Sequence, residues 1–175
     1  MALGSVDEFK SRLAGGGARG NLFQVTLANP RGGLGVALDV DFASFMCEAA
    51  QLPASTIGTI VVPFRGRQLK MAGDRTFDVW TTTIINDTGF KIRDELEKWS
   101  NAISNHADAG GLQNPELYFA DLSVQQFDRD NTVIKTYTFK DAFPTEISAI
   151  DLSYGDTDTI ERFTCTWQYQ YWTSN

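Results

Sequence analysis

The chain has 175 residues, of which 42% are hydrophobic, and a formal net charge of −7 from 15 basic and 22 acidic side chains. A chain of this length buries about 70% of its unfolded surface, so residues 1–175 are expected to form a single domain without disulfides or a structural metal. The acidic balance disfavours tight nucleic-acid binding, because that binding depends on basic side chains that neutralise phosphates.

Two further features of the sequence bear on the cellular compartment in which the protein is made. No secretory signal and no apolar run long enough to span a membrane are recognisable, which predicts a soluble protein made in a cytoplasm. Cys47 and Cys165 are too few to form a disulfide framework, so both are expected to be reduced and buried.

Residues 1–20 predict a short helix followed by a flexible glycine-rich linker. Val6, Phe9 and Leu13 would share one face of that helix. Gly15 to Gly20 matches the G-x-G-x-x-G pattern of dinucleotide-binding loops. Such a loop needs a strand before it and a helix after it, and here the order is reversed, so nucleotide binding is not expected.

Strands are predicted at Asn21 to Leu27 and at Phe42 to Ala49. Residues 53–75 then contain prolines, glycines and several basic side chains, which predict a long, irregular loop. This loop also holds apolar residues that a solvated segment would not expose, so it is expected to pack on a neighbouring subunit. Its last residues, Gly73 to Arg75, predict a turn that leads into a strand from Phe77 to Ile85.

One strong helix is predicted from Phe90 to about Asn105, because Ile92, Leu96 and Trp99 follow helical spacing and Ile103 continues the stripe. The apolar stripe would lie on a sheet.

The C-terminal half predicts two β-hairpins. The first pairs Leu117 to Phe127 with Thr132 to Lys140, and Phe143 to Thr145 is expected to break the strand pattern. The second pairs Ile147 to Tyr154 with Ile160 to Trp172.

The last predicted strand has two different faces. Phe163, Cys165 and Trp167 begin an apolar face that alternates with an uncharged polar face. A solvated face would carry more lysine and glutamate, so the polar face suits the wall of a water-filled channel. The residues expected to line it are Thr164, Thr166, Gln168 and Gln170.

Residues able to support catalysis or metal binding are sparse. His106 is the single histidine, which argues against a zinc site or a catalytic triad. Asp156, Asp158 and Glu161 lack the spacing of a calcium-binding EF-hand loop. We therefore expect no cofactor, no bound metal and no enzymatic activity.

Taken together, these segments resemble the tail tube protein of contractile-tailed bacteriophages over nearly the whole chain. The order and spacing of the matching segments carry the resemblance. They are Asn21–Val25, Cys47–Ala49 with Leu52–Ala54, Ala72–Asp78 with Trp80, Asn86–Asp87, Phe143–Thr145 and Tyr171–Trp172. The glycine-rich linker and the last residues, Thr173 to Asn175, depart from the family pattern.

The resemblance implies a mainly β (α+β) fold, in which two packed antiparallel sheets form a β-sandwich or partial barrel beside one α-helix, as in tail tube and Hcp proteins. It implies a structural subunit whose hexameric rings stack into a hollow tube that conducts DNA into the host cell during contractile injection. The implied partners are further copies of the chain, the tail sheath, tape-measure, baseplate hub and tail terminator proteins, and DNA that passes without specific binding. No membrane anchor is expected, and the protein would be assembled in the host cytoplasm and reside in the virion tail.

In this family a loop at residues 53–75 bridges to the adjacent ring. The resemblance therefore assigns inter-subunit or inter-ring contacts to charged residues in that loop and to the aromatic residue beside them. These are Phe64, Arg65, Arg67, Lys70, Asp74 and Arg75.

Two alternatives stay open at the level of sequence. The same fold would serve as the tube subunit of a type VI secretion system or a pyocin-like injection machine, which genome neighbours would separate from a phage. A β-sandwich module that binds a small ligand is a different class, and it would be a stable monomer rather than a polymer.

Overall fold

A computed structural model describes residues 5–13, 16–108 and 110–175. Within these ranges the helices are α1 (Val6–Arg12), α2 (Val40–Met46) and α3 (Lys91–Ile103), with a 3-10 helix at Pro115–Leu117. The strands are β1 (Phe23–Thr26), β2 (Cys47–Ala50), β3 (Ser55–Phe64), β4 (Arg67–Phe77), β5 (Trp80–Ile85), β6 (Ala120–Phe127), β7 (Val133–Ile147), β8 (Arg162–Gln168) and β9 (Tyr171–Ser174). Parts of the predicted N-terminal segment, residues 1–4 with Ala14 and Gly15, lie outside the described residues.

The strands form two antiparallel sheets that share β7, and β3 and β4 form a separate hairpin. The first part of β7 pairs with β6 and β9, and β6 pairs with β1; we call this the first sheet. The last part of β7 pairs with β8, which is followed by β5 and β2 in the second sheet. This arrangement confirms the predicted mainly β fold with one principal helix. Among the described strands, β1, β2 and β9 each pair with one strand only and have one free edge, so the sheet is open rather than closed.

Aromatic side chains join the two sheets and the helix. The rings of Trp80 in β5 and Phe139 in β7 stack with centroids 4.2 Å apart. On the second sheet, Trp99 of α3 meets the edge of Trp167 at 5.7 Å. The buried Thr82 hydroxyl accepts the Trp167 indole N–H at 3.1 Å, so this polar group is satisfied inside the core.

Helix α3 follows the sequence prediction closely. Ile92, Leu96 and Trp99 are buried, and Ile103 packs at the edge of the core. The Asp87 carboxylate accepts the backbone N–H of Lys91 at 3.0 Å. That bond satisfies one of the free amides at the helix start.

The predicted strand from Phe42 to Ala49 is wrong in its first half, where α2 forms instead. The Asp39 carboxylate accepts the N–H of Phe42 at 3.1 Å and caps the helix. The chain becomes extended only at Cys47, where β2 begins.

Residues 53–75 form a hairpin and not an irregular loop. Its turn lies at Arg65 and Gly66, which both have positive φ, so the turn predicted at Gly73 to Arg75 is wrong. Gly73 lies opposite Gly58, and a Cβ on Gly73 would come within 3.2 Å of the Gly58 backbone. Gly73 therefore permits a close approach of β3 and β4 at the bulge between Ile57 and Thr59.

The predicted break at Phe143 to Thr145 is also wrong, because β7 continues to Ile147. Its pairing register with β8 shifts between Pro144 and Glu146, and such a bulge accommodates a proline within a strand. The second predicted hairpin differs as well: residues 148–161 contain no strand, and the final strand is divided at Gln170 into β8 and β9.

The stack of Trp80 on Phe139 predicts a strong dependence of stability on Phe139. We expect Phe139→Ala to lower the free energy of unfolding by about 3–5 kcal/mol, because it removes a fully buried ring between two sheets. The matched control is Phe45→Ala, whose ring is 87% exposed and whose loss should change stability by less than about 0.5 kcal/mol. Urea unfolding of the monomer measures both, and equal losses would contradict the assigned core.

Candidate assembly surfaces

The β3–β4 hairpin projects from the body of the protein. In the described part of the chain, β3 and β4 pair only with each other. No side chain of either strand is buried. A two-stranded ribbon without a core is marginal by itself, so this element is expected to become fully ordered when it contacts another surface.

The pairing register gives the hairpin one apolar side. Ile60 lies opposite Met71, Val62 opposite Leu69, and Phe64 opposite Arg67. Directly paired residues point to the same side of a ribbon, so the apolar members of these pairs form a continuous strip that we call the apolar hairpin face. It consists of Ile60, Val62, Phe64, Leu69 and Met71, which are between 39% and 66% exposed.

The residues predicted to make inter-subunit contacts are spread along the whole hairpin. Phe64, Arg65 and Arg67 form its end, which we call the hairpin tip, and the Arg65 guanidinium lies 5.3 Å from the Phe64 ring centroid. Lys70 points to the side opposite the apolar hairpin face, across from Val61. Asp74 and Arg75 lie near the base, where Arg75 Nη1 donates to Ser55 Oγ at 3.1 Å. The six residues do not form one site. The sequence indicated apolar residues in this segment, but the strip that some of them form with Leu69 and Met71 depends on the pairing register.

Two indole groups fasten the base of the hairpin to the body. Trp80 Nε1 donates to the carbonyl of Gln51 at 2.7 Å, and Trp172 Nε1 donates to that of Ala54 at 3.4 Å. The ring of Phe77, the last residue of β4, packs against Trp172 with centroids 6.4 Å apart. The direction of the hairpin is therefore set by the folded body.

Tyr169 also packs against this base, with its ring 6.1 Å from that of Phe77. Burial raises the pKa of the Tyr169 hydroxyl, and the nearby Asp78 carboxylate adds to the effect. The phenol therefore stays neutral, and its oxygen has no partner among the described residues.

Charge is distributed unevenly between the hairpin and the body. Residues 55–77 contain four basic side chains and one acidic side chain, so they carry a net charge of +3. The remainder of the chain, with 11 basic and 21 acidic residues, carries −10. The hairpin is thus a basic arm on an acidic body, and its field favours contact with acidic surfaces.

A second surface lies on the side of the second sheet that faces away from the core. Thr164 pairs with Thr83, and Thr166 pairs with Thr81, so the four threonines share one side of β5 and β8. Gln168 continues this row, and its five residues, which we call the threonine face, are all half-buried. The other predicted channel residue, Gln170, is exposed in the connection between β8 and β9, where its N–H donates to the Lys140 carbonyl at 3.0 Å.

The chemically reactive residues lie apart from these surfaces. Cys47 and Cys165 are free and buried, as predicted, and burial raises the pKa of the Cys47 thiol to about 12. His106 is exposed after α3, and its backbone N–H donates to Asn101 Oδ1 at 3.0 Å. Among the described residues, no three His, Cys, Asp or Glu side chains converge in a geometry for a metal ion. Over the same residues, no helix is long and apolar enough to cross a membrane.

Solved structures of contractile injection machines share this fold. The chain aligns with a protein of an extracellular contractile injection system, the PVC sheath–tube complex in its extended state, with a TM-score of 0.68, 16% identity and 99% of each chain covered. It aligns with a protein of the anti-feeding prophage tube-terminating cap with a TM-score of 0.67, 19% identity and 91% of each chain covered. At these identities the likeness defines the fold class alone: an open two-sheet body with a flanking helix.

Sequence comparison defines the family. Residues 18–175 match the phage tail tube protein family. The tail tube protein gp19 of Enterobacteria phage T4 is 33% identical over 156 residues, which cover 89% of this chain and 90% of that protein. The chain therefore belongs to the phage tail tube protein family. It is a structural subunit of a tail tube and not an enzyme.

The exposed hairpin predicts uneven protection of backbone amides. In dilute, monomeric protein we expect the amides of β3 and β4 to exchange with deuterium at least about tenfold faster than those of β5 and β8, because the hairpin contributes no buried side chain. Hydrogen exchange with mass spectrometry measures this directly. Equal protection of both pairs of strands would mean that the hairpin folds back onto the body in solution.

Proposed function

We propose that this chain assembles into six-membered rings that stack into a hollow tail tube, through which DNA enters the host cell during contractile injection. The observation that carries this proposal is the exposed apolar hairpin face, on a hairpin that is fastened at its base to an acidic body. A monomeric protein rarely leaves such a strip uncovered, so a polymer accounts for it better than a free subunit.

Ring formation follows from the free edges of β1 and β2. Unpaired strand edges are a liability in a soluble protein, and pairing each edge with the next copy around a closed ring removes both. Because adjacent sheets would join in this way, six copies form one continuous β-barrel around a central bore.

Stacking of rings is assigned to the hairpin. The five side chains of the apolar hairpin face are about half-exposed, so covering them contributes roughly 1 kcal/mol each before the cost of association. Repetition of this contact around a ring of six makes stacking cooperative. The charged residues predicted from sequence, from Arg65 to Arg75, would pair with the neighbouring copies at the margins of this apolar contact.

The bore is assigned to the threonine face. Hydroxyl and amide groups offer hydration without a positive charge that would hold phosphates. Glu146, which pairs with Thr166, adds a carboxylate, and Arg162 at the end of the same row is paired with Glu48. Six copies at −7 give a ring a formal charge of −42, so DNA would meet repulsion and pass without binding.

The other proposed partners are suggested by the tail tube family and by the solved injection machines that share this fold. The structures with this fold include a sheath–tube complex and a tube-terminating cap, which supports a sheath on the outside of this tube and a terminator at its end. We extend the proposal to a baseplate hub that starts the tube and a tape-measure protein in its bore. Assembly would occur in the host cytoplasm, and the final location is the virion tail.

Proteins of other contractile injection machines share the fold, but their sequences are less similar to this chain. The injection-system proteins above are 16% and 19% identical to this chain, whereas the T4 tail tube protein is 33% identical. A phage tail is therefore the better supported machine. A monomeric ligand-binding sandwich would leave both the free strand edges and the apolar hairpin face without a role.

Adjacent residues in β4 provide a test with a matched control. We expect Leu69→Asp to remain a folded monomer and to form no tubes at concentrations at which the wild-type protein polymerises, because it places a carboxylate in the apolar hairpin face. Gln68→Asp adds the same charge to the opposite face and should still form tubes. Negative-stain electron microscopy and sedimentation measure both. Normal tubes from Leu69→Asp would refute the role assigned to this face.

A further inference from the structure

The loop of residues 148–161 lies at the end of the second sheet opposite the hairpin. Strand β5 begins at Trp80, three residues after the hairpin, and ends at Ile85, which pairs with Arg162. The backbone N–H of Asn86 then donates to the Glu161 carbonyl at 2.9 Å. Six residues of strand span about 20 Å, so the hairpin and this loop are separated by the length of the sheet and cannot meet within one copy.

The loop surrounds an open cavity of about 370 Å³ with a mixed lining. Its apolar wall includes Leu152 and Ile160, which are 80% and 62% exposed. Its acidic wall includes Asp151, Asp156 and Glu161. We call this feature the loop cavity.

The charge of the loop is the opposite of that of the hairpin. Residues 148–161 contain four acidic side chains and no basic one, whereas the hairpin carries +3. Arg162 at the rim of the cavity is engaged by Glu48, so it does not cancel the acidic wall. The cavity therefore has the composition that would accept an aromatic ring flanked by guanidinium groups.

The hairpin tip has that composition. Phe64 is 66% exposed with Arg65 over its ring, and Arg67 is paired with Phe64 across the ribbon. Each strand of the hairpin, with 10 and 11 residues, spans about 33–36 Å. The hairpin is therefore longer than β5, which has 6 residues, and its tip can reach a second copy.

We propose that the hairpin tip of one copy docks in the loop cavity of a second copy in the adjacent ring. This inference rests on the proposed tube and specifies which two surfaces meet between rings. Because donor and acceptor lie at opposite ends of the subunit, the contact is head-to-tail: every docked copy presents a new cavity or a new tip. Such a heterologous contact propagates along an axis instead of closing on itself, which is the requirement for a tube that grows ring by ring.

Charge reversal on the acceptor side provides the first arm of the test. Asp151→Lys with Asp156→Lys should fold as a monomer, because both residues are exposed, and its polymerised fraction should fall at least tenfold. The control, Asp41→Lys with Asp94→Lys, makes the same change in net charge at two exposed positions that do not line the cavity. It should polymerise as the wild-type protein does.

Charge reversal on both the hairpin tip and the loop cavity provides the decisive part of the test. Arg65→Glu with Arg67→Glu should also prevent polymerisation, and combining it with the acceptor variant in one chain should restore tubes. Restoration supports docking of these two surfaces. Unchanged polymerisation of the acceptor variant, or failure of the fourfold variant to recover, would overturn the pairing while leaving the tube itself intact. A wild-type protein that forms no tubes would instead refute the proposed function.

Discussion

The surfaces of this chain depend on one constraint, the alternation of side chains along paired strands. In β8 the alternation places Phe163, Cys165 and Trp167 in the core and leaves the threonine face outside. In the hairpin the same alternation, fixed by the register of β3 on β4, places the apolar hairpin face on one side and a mixed face with Lys70 and Gln68 on the other. A shift of one residue in one of these pairings would exchange the faces of a strand and disrupt the corresponding candidate surface.

The body and the hairpin divide two physical tasks. Packing of Trp80 on Phe139 and of α3 on the second sheet supplies the stability of the body, so the hairpin need not contribute. Hydrogen bonds from the indole N–H groups of Trp80 and Trp172 then hold the base of the hairpin against the body. A hairpin whose base is fixed loses less conformational entropy when it binds a partner, and this favours assembly.

The sequence predicted the elements in which a single local signal dominates. The stripe of Ile92, Leu96 and Trp99 identified α3, and the alternation in β8 identified its apolar face, which is buried. The predictions failed where tertiary contacts place a glycine or proline inside a strand instead of in a turn. Gly73 permits a close approach of strands and is not part of a turn, and Pro144 lies at a bulge inside β7. For the assembly surfaces, composition located the charged residues of the hairpin, but the apolar hairpin face needed the register and the loop cavity needed the fold of residues 148–161.

In the proposed tube, the second sheet lines the bore while the hairpin links the rings. A helical cryo-EM reconstruction of tubes grown from the wild-type protein would show this arrangement. We expect the side chains of Thr81, Thr83, Thr164 and Thr166 to face the lumen in every subunit. Density that places these threonines on the outer wall of the tube, or buries them between subunits, would contradict this arrangement.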